Sequence, residues 1–399
     1  RRFNKIYKAS DATKMKKWAR IEIDGCNFAI NEAKPDPFVK LNHLVKEVNS
    51  NYGDLAPALR DDELYFASIN SDTVLTMKPD ESDAKKESVL MKLYSSKVSG
   101  DTYSEKEQIK TFSQAGKHIS NPSFAEDGKK IFYTICDGNL AKPDCNIYMS
   151  EMKGTEWEKG QPLNAEINLK GFTNTQPYYA KTSKGDVLYF VSDREGGKGG
   201  LDIWSSSVNK KGEFGTPKNL GSKINTDRDE VTPFYDPKSE TFYFSSNGWI
   251  SMGGSDIFKA PADAYGRFTK TPENLGAPFN SPCDDNYFRF GKDNEEGYFA
   301  SNRPGIFSVR GKTCCFDIFA YKYDHRIYVA VKGKIFDDAT KEPIEGAAIN
   351  LSLHNNDLAE SDVTIATDSS SKTTPYFFNL KSDKSYKVSA QKDGYFASS

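Results

Sequence analysis

One strand pair is written five times into this chain. Thr232 to Asn247 reads TPFYDPKSETFYFSSN and aligns without a gap to NPSFAEDGKKIFYTIC, which starts at Asn121. Pro122 falls under Pro233, and Phe132-Tyr133 falls under Tyr243-Phe244. The pattern returns with small loop changes around Pro57 with Tyr65-Phe66 and around Pro177 with Tyr189-Phe190. A fifth copy ends at Tyr298-Phe299 and has Phe288 in place of the proline. The aromatic pairs begin at 65, 132, 189, 243 and 298, at intervals of 67, 57, 54 and 55 residues. A fixed period of this length marks a fold in which each repeat is one supersecondary unit that buries its apolar face against the next.

Each pair is followed by a turn and a third strand that opens on a short motif. Asp202-Ile203-Trp204, Asp256-Ile257-Phe258 and Asp317-Ile318-Phe319 are its clear forms, and Asn146-Ile147-Tyr148 and Lys92-Leu93-Tyr94 its weaker ones. The Asp or Asn can take backbone N–H groups at the turn while the Ile and the aromatic pack between sheets. A fourth element, an aromatic, a proline and a leucine, follows in three repeats, as at Phe214, Pro217 and Leu220. The fifth repeat has none, because Tyr321 runs directly into RIYVAVKG, whereas Pro37 to Leu44 is a leading strand with no repeat before it. Circular closure reconciles the two: the N-terminal strand completes the last sheet and removes both free edges. The pattern predicts a mainly all-β chain built on a five-bladed β-propeller. Two sandwiches in tandem would explain the aromatic strands but neither the period nor the complementary missing strand.

The ends differ from the middle. Met15, Trp18, Ala19, Ile23, Cys26, Ile30 and Ala33 recur at helical spacing and predict a short N-terminal helix, although Asp24-Gly25 between apolar residues also fits a hairpin. The stretch from Arg326 alternates apolar residues with turns at Asp337-Asp338, Glu345-Gly346 and Asp393-Gly394, which predicts a small β-sandwich of six or seven strands. The expected domains are a helical segment at 1–36, the propeller at 37–325 and the sandwich at 326–399. The start at Arg1 without Met reads as a mature or trimmed piece, so the lack of a signal-peptide core in Arg1 to Ser10 says little.

Charge narrows the partners. With 54 basic and 56 acidic residues, well mixed, the chain shows no footprint for nucleic acid, and no apolar run approaches the roughly 18 residues of a membrane span. Six cysteines are too few to build a disulfide scaffold, but Cys136 and Cys145 sit at the two ends of a predicted hairpin loop and are a candidate bridge. Cys283, Cys314 and Cys315 offer another, written here as Cys283 with Cys315.

Catalytic patterns are missing. His43, His118, His325 and His354 show neither metal-ligand nor catalytic spacing, and neither G-x-S-x-G nor H-E-x-x-H occurs. Gly311-Lys312-Thr313 imitates the end of a P-loop, but Gly305 lies one position too far upstream and a strand follows. GGKGG at Gly196 to Gly200 could offer amides to an anion, yet it reads better as a loop, since Met252-Gly253-Gly254 holds the equivalent place in the next repeat. Asp227, Asp229 and Glu230, like Asp284 and Asp285, read as solvated turn carboxylates rather than calcium ligands. No catalytic residue, cofactor or metal is expected. Pro57, Pro122, Pro177 and Pro233, with Asp202, Asp256 and Asp317, are structural marks of the repeat.

The repeat resembles the WD-type, TolB-like propeller repeats of bacterial periplasmic proteins, through Pro122 to Tyr133 and the Asp-Ile-aromatic strands. The tail resembles a carboxypeptidase regulatory-like domain, through VKGKIFDDATKEPIEGAAINL and the later DGYFAS. Together they look like the PorE-type envelope proteins of Bacteroidetes, an OmpA-family architecture of the type IX secretion system. That resemblance implies a non-enzymatic periplasmic scaffold associated with the outer membrane. Its partners would be other envelope or secretion-system proteins, and it would reach peptidoglycan only through an OmpA-like domain that these residues lack. Two alternatives stand beside it: a propeller receptor for a peptide or glycan, and a propeller lyase or glycosidase that would need paired carboxylates or a metal in its channel.

Overall fold

The computed structural model describes residues 13–31, 34–69, 90–137, 144–263, 266–308, 315–324, 328–354, 363–381 and 384–396. His325, Cys314 and Gly311-Lys312-Thr313 lie outside the described residues. The chain divides into two compact units, Arg1–Tyr323 and Asp324–Ser399. The first unit is mainly all-β with one helix, α1 (Thr13–Asn31), and is consistent with a β-propeller. The apolar spacing read from Met15 onward is therefore helical rather than a hairpin. α1 is not long and apolar enough to cross a membrane.

Five antiparallel sheets make up the rest of this unit, four of them built from consecutive strands and the fifth from three consecutive strands plus one from the N-terminal end. The first strands, Asp54–Arg60, Lys117–Phe124, Asn174–Thr182, Glu230–Asp236 and Asp285–Phe290, touch their neighbours in order, and the fifth touches the first, so the ring closes. The second member of every aromatic pair faces the third-strand aromatic: Phe66 with Tyr94, Tyr133 with Tyr148, Phe190 with Trp204, Phe244 with Phe258 and Phe299 with Phe319. Phe66, Tyr133, Phe190, Phe244 and Phe299 are all fully buried. Burial of such a side chain contributes about 1.5–3 kcal/mol, which is why this pair is the strongest mark in the sequence.

The seam of the ring is the fifth sheet. The strand Val39–His43 pairs antiparallel with Asp317–Tyr323, Val39 opposite Tyr323 and His43 opposite Phe319. Asn49 then clamps Ile318, accepting from its N–H at 2.8 Å and donating to its carbonyl at 3.0 Å. Asn168, Asn225 and Asn280 make the same two bonds to Ile147, Ile203 and Ile257, so four of five junctions share one device. The seam is built like an ordinary junction although its two sides come from opposite ends of the unit.

The prolines mark a bulge. Ala56, Asn121, Gln176, Thr232 and Tyr287 have φ between 50° and 59°, and each first strand shifts register there. Pro57, Pro122, Pro177 and Pro233 follow directly, and a proline suits the bulge because it has no N–H to leave unpaired. The bulge turns these residues away from the ladder and toward the centre of the ring.

The third-strand aspartates act as the motif predicts. Asp202 accepts from the amides of Lys198 and Gly199, Asp256 from Met252 at 2.6 Å and Asp317 from Phe307 at 2.7 Å. Cys136 and Cys145, directly opposite each other on adjacent strands, form a disulfide. The Cys283–Cys315 bridge is corrected, because Cys283 is a free thiol. Cys283 lies in the loop leading into the fifth sheet, its carbonyl accepting from Gly254, whereas Cys315 packs beside Gly53 at the entry to the first. The two flank opposite sides of one sheet.

The second unit holds five described strands in two sheets. Tyr328–Gly333 pairs with Tyr376–Lys381, and Ala348–His354 lies between Val363–Ser369 and Ser385–Gln391. Ile349, Leu351 and Phe378 form its core.

Candidate functional site: a cleft beneath the N-terminal helix

α1 lies on the loop that joins the third and fourth sheets and on the loop between the second and third strands of the fourth. Ala19 and Gly25 are its buried residues, and a Cβ at Gly25 would overlap the carbonyl of Ser251, so the helix backbone sits directly on that loop. Two ion pairs hold its flank: Glu22 with Arg228 at 2.8 Å and Lys17 with Asp227 at 3.1 Å. Arg228 also donates to the carbonyl of Asn247 at 2.9 Å and lies over the ring of Trp18 at 5.1 Å.

Between the helix and these loops is a cleft of about 670 Å³, lined by Lys14, Trp18, Lys198 and Asn247 with the run Asp227, Arg228 and Asp229. That size suits a small organic ligand. The GGKGG loop forms one wall, and the amides from Lys198 to Leu201 are spent inside the protein. Those of Lys198 and Gly199 go to Asp202, that of Gly200 to the carbonyl of Arg228, and that of Leu201 to Asp229. Its glycines serve close approach, since a Cβ at Gly199 would overlap the Arg228 carbonyl.

The acidic run divides its roles. Glu230 is fully buried and accepts from the Thr226 amide at 2.6 Å, the Thr226 hydroxyl at 2.7 Å and the Ser246 hydroxyl at 2.7 Å. Burial pushes its carboxyl up to about 7 despite those bonds. It is a structural staple, not a solvated turn carboxylate. Asp229 accepts from Leu201 at 2.8 Å, and its amide donates to Asn247 at 3.0 Å. For Asp227, burial pushes the carboxyl up, but the Lys17 ammonium, by hydrogen bond and charge, and a hydrogen bond from the Trp18 indole more than offset this and hold it below the usual range. Asp227 Oδ1 and Trp18 Nε1 are both buried atoms, and the indole acts directly on that carboxylate.

No family model matches the chain, and no curated protein does. Solved structures do. An endo-arabinase from Bacteroides thetaiotaomicron VPI-5482 is 14% identical over 69% of this chain and 96% of its own, at a TM-score of 0.44. Zg3597, a family 117 glycoside hydrolase from Zobellia galactanivorans, is 12% identical over 72% and 90%, at 0.45. The exo-beta-1,3-galactanase 1,3Gal43A from Clostridium thermocellum is 9% identical over 90% and 80%, at 0.47. Likeness at this level concerns the fold and assigns no residue a role.

Two expectations are corrected by these neighbours. All three are glycoside hydrolases, so the non-enzymatic secretion-system scaffold, and the exclusion of catalysis with it, are withdrawn.

The other sequence-singled residues fall outside the cleft. Pro57, Pro122, Pro177 and Pro233 line the bulges, and Asp256 and Asp317 hold turns. His43 bonds Asp317, and His118 accepts from the Met91 amide at 3.1 Å. Among the described residues no group of three or more His, Cys, Asp or Glu is arranged to hold a metal. Sequence reasoning missed Trp18 and Arg228 as cleft residues. Trp18 was legible only as one apolar position of a helix, and nothing local tells where that helix docks.

Proposed function

We propose that this chain is a glycan-directed protein of the periplasm whose saccharide site is the cleft beneath α1. The observation that carries the reading is the cleft that sets the Trp18 ring beside the Asp227 carboxylate. A sugar presents an apolar ring face that an indole can cover and hydroxyls that both donate and accept. Asn247, Asp229 and Arg228 supply further polar groups around the same space. The periplasmic part of the reading is supported by the Cys136–Cys145 disulfide, which belongs in an oxidising compartment.

The reading takes the five sheets as five blades of one propeller and the two sheets of the second unit as a β-sandwich. A glycosidase needs two carboxylates about the scissile bond. In this cleft they are Asp227 and Asp229.

Calorimetric titration with a panel of neutral and acidic oligosaccharides, run beside a reducing-end release assay, tests the proposal. At least one saccharide should bind, and Trp18→Phe and Asp227→Asn should each weaken it about tenfold or more. Release of reducing ends lost in Asp227→Asn and Asp229→Asn would make the pair catalytic, and binding without release would make the protein a receptor. No binding across the panel, or variants that bind like the parent, would overturn the proposal.

A further inference from the structure

The centre of the ring carries a positive charge that no carboxylate balances. Each first strand sends two residues there. The first set is Ala56, Asn121, Gln176, Thr232 and Tyr287, at the bulge. The second, two positions on, is Ala58, Ser123, Tyr178, Phe234 and Arg289. None of the ten is acidic.

Tyr287 closes the first set. Its hydroxyl donates to Asn121 Oδ1 at 2.8 Å and accepts from Gln176 Nε2 at 3.2 Å, reaching from the fifth sheet to the second and third. Gln176 Oε1 accepts from the Thr232 amide at 2.7 Å, which ties in the fourth. Arg289 lies in the next set. It is 9% exposed, and its guanidinium sits over Tyr178 at 5.2 Å and Phe234 at 5.5 Å. Nη1 donates to the carbonyls of Phe288 at 2.8 Å and Thr232 at 3.4 Å. Among the described residues its Nε and Nη2 make no hydrogen bond, and no carboxylate lies within ion-pair distance.

The other buried arginines show what a structural arginine looks like here. Arg303 bonds Asp285 at 2.7 Å and the carbonyls of Pro278 and Phe279. Arg194 uses Nε, Nη1 and Nη2 on Ser192, Glu166, Ile167 and Asn174. Arg289 alone of the three keeps one edge of its fork unused. Burial lowers its guanidinium to about 10, so it remains charged at neutral pH. An unbalanced buried charge is costly and is relieved by a counter-ion.

We propose that Arg289 is an anion site on the propeller axis, taking a single carboxylate across Nε and Nη2. The fork matches a carboxylate bidentately. One guanidinium balances one charge, and the aromatic walls of Tyr178 and Phe234 disfavour a second, so a monoanion fits better than a phosphate dianion. Ala58 and Ser123 contribute short side chains where the third and fourth sheets contribute aromatic ones. The site is separate from the cleft beneath α1 and does not depend on it.

The test uses the full chain. Thermal melts in sodium acetate and in sodium glucuronate are compared with sodium chloride and sodium phosphate at equal ionic strength. The carboxylates should raise the midpoint by about 2 °C or more over chloride at concentrations well above Kd, and Arg289→Met should abolish the difference. A response to acetate marks a small free acid, and a response to glucuronate alone marks an acidic sugar. In the unmodified chain labelled with nitrogen-15 arginine, the Arg289 Nε–H resonance should move on acetate titration, a readout that does not require the variant to fold. A stronger response to phosphate, a shift retained in Arg289→Met, or an unmoved resonance would each overturn the proposal.

Discussion

His43 reaches across the seam of the ring to Asp317, its Nε2 2.6 Å from the carboxylate, with 274 positions of chain between the two. The same aspartate position in the third and fourth sheets is met by asparagines from the fourth strand: Asn219 bonds Asp202 at 2.8 Å and Asn274 bonds Asp256 at 2.7 Å. His43 therefore fills, from the N-terminal end, a place that each of those repeats fills for itself. Its ring also stacks on Phe319 and tilts against Phe307.

Removing that side chain leaves a fully buried carboxylate short of a partner. His43→Ala should lower the unfolding free energy by about 1–3 kcal/mol, and His43→Asn should restore most of it because asparagine does this work in two other sheets. Urea denaturation of both variants measures the difference. An asparagine no better than alanine would show that the equivalence of the seam with the other junctions is false.

Asn49 should matter more. Asn49→Ala strips three buried bonds from Leu44 and Ile318 and should cost about 2–4 kcal/mol. Hydrogen exchange at the Leu44 and Ile318 amides should quicken together, since both belong to the seam. Quickening confined to Leu44 would indicate that the closing strand is held by its ladder alone.

Acid and base should act through two buried carboxyls. Burial raises Glu230 from 4.5 to about 7, and Asp256 from 3.8 to about 7 with Asp285 adding to the rise. The folded chain keeps both protons in a range where the unfolded chain has released them. Stability should therefore fall as pH rises from about 4 to about 7 and level off above it, by on the order of 3 kcal/mol for each group. Urea midpoints of the parent and of Glu230→Gln across pH 4.5–8 check this, and the variant should show the shallower slope.

The disulfide closes a short loop between two adjacent strands of the second sheet, nine positions apart. By loop entropy it should contribute about 2–3 kcal/mol. Comparing melting of the parent, with and without reductant, against the Cys136→Ser, Cys145→Ser double variant isolates that contribution, and the double variant should be insensitive to reductant.

The fold was legible where each repeat carries its own signal. An aromatic pair, a proline and an Asp-Ile-aromatic triplet sit within one stretch of chain, and their period survives loop changes. The closure was legible as well, because a strand absent after Tyr321 and one in excess before Leu44 are complementary. The sites were not. Tyr287, Asn121 and Gln176 meet only because three distant repeats share a centre, and the residue that reaches it is marked just by standing before the proline. Trp18 and Asp227 are 209 positions apart and meet only because a helix docks on a loop. Cys283 and Cys315 misled for the converse reason, since 32 positions here carry the chain from one flank of a sheet to the other.

The saccharide cleft is most directly tested by a crystal structure of the chain with the tightest-binding saccharide from the panel. The sugar should lie against the Trp18 ring with a hydroxyl within hydrogen-bond distance of the Asp227 carboxylate, and α1 should still be seated on Ser251. A saccharide bound elsewhere, or one in the cleft that touches neither Trp18 nor Asp227, would contradict the account.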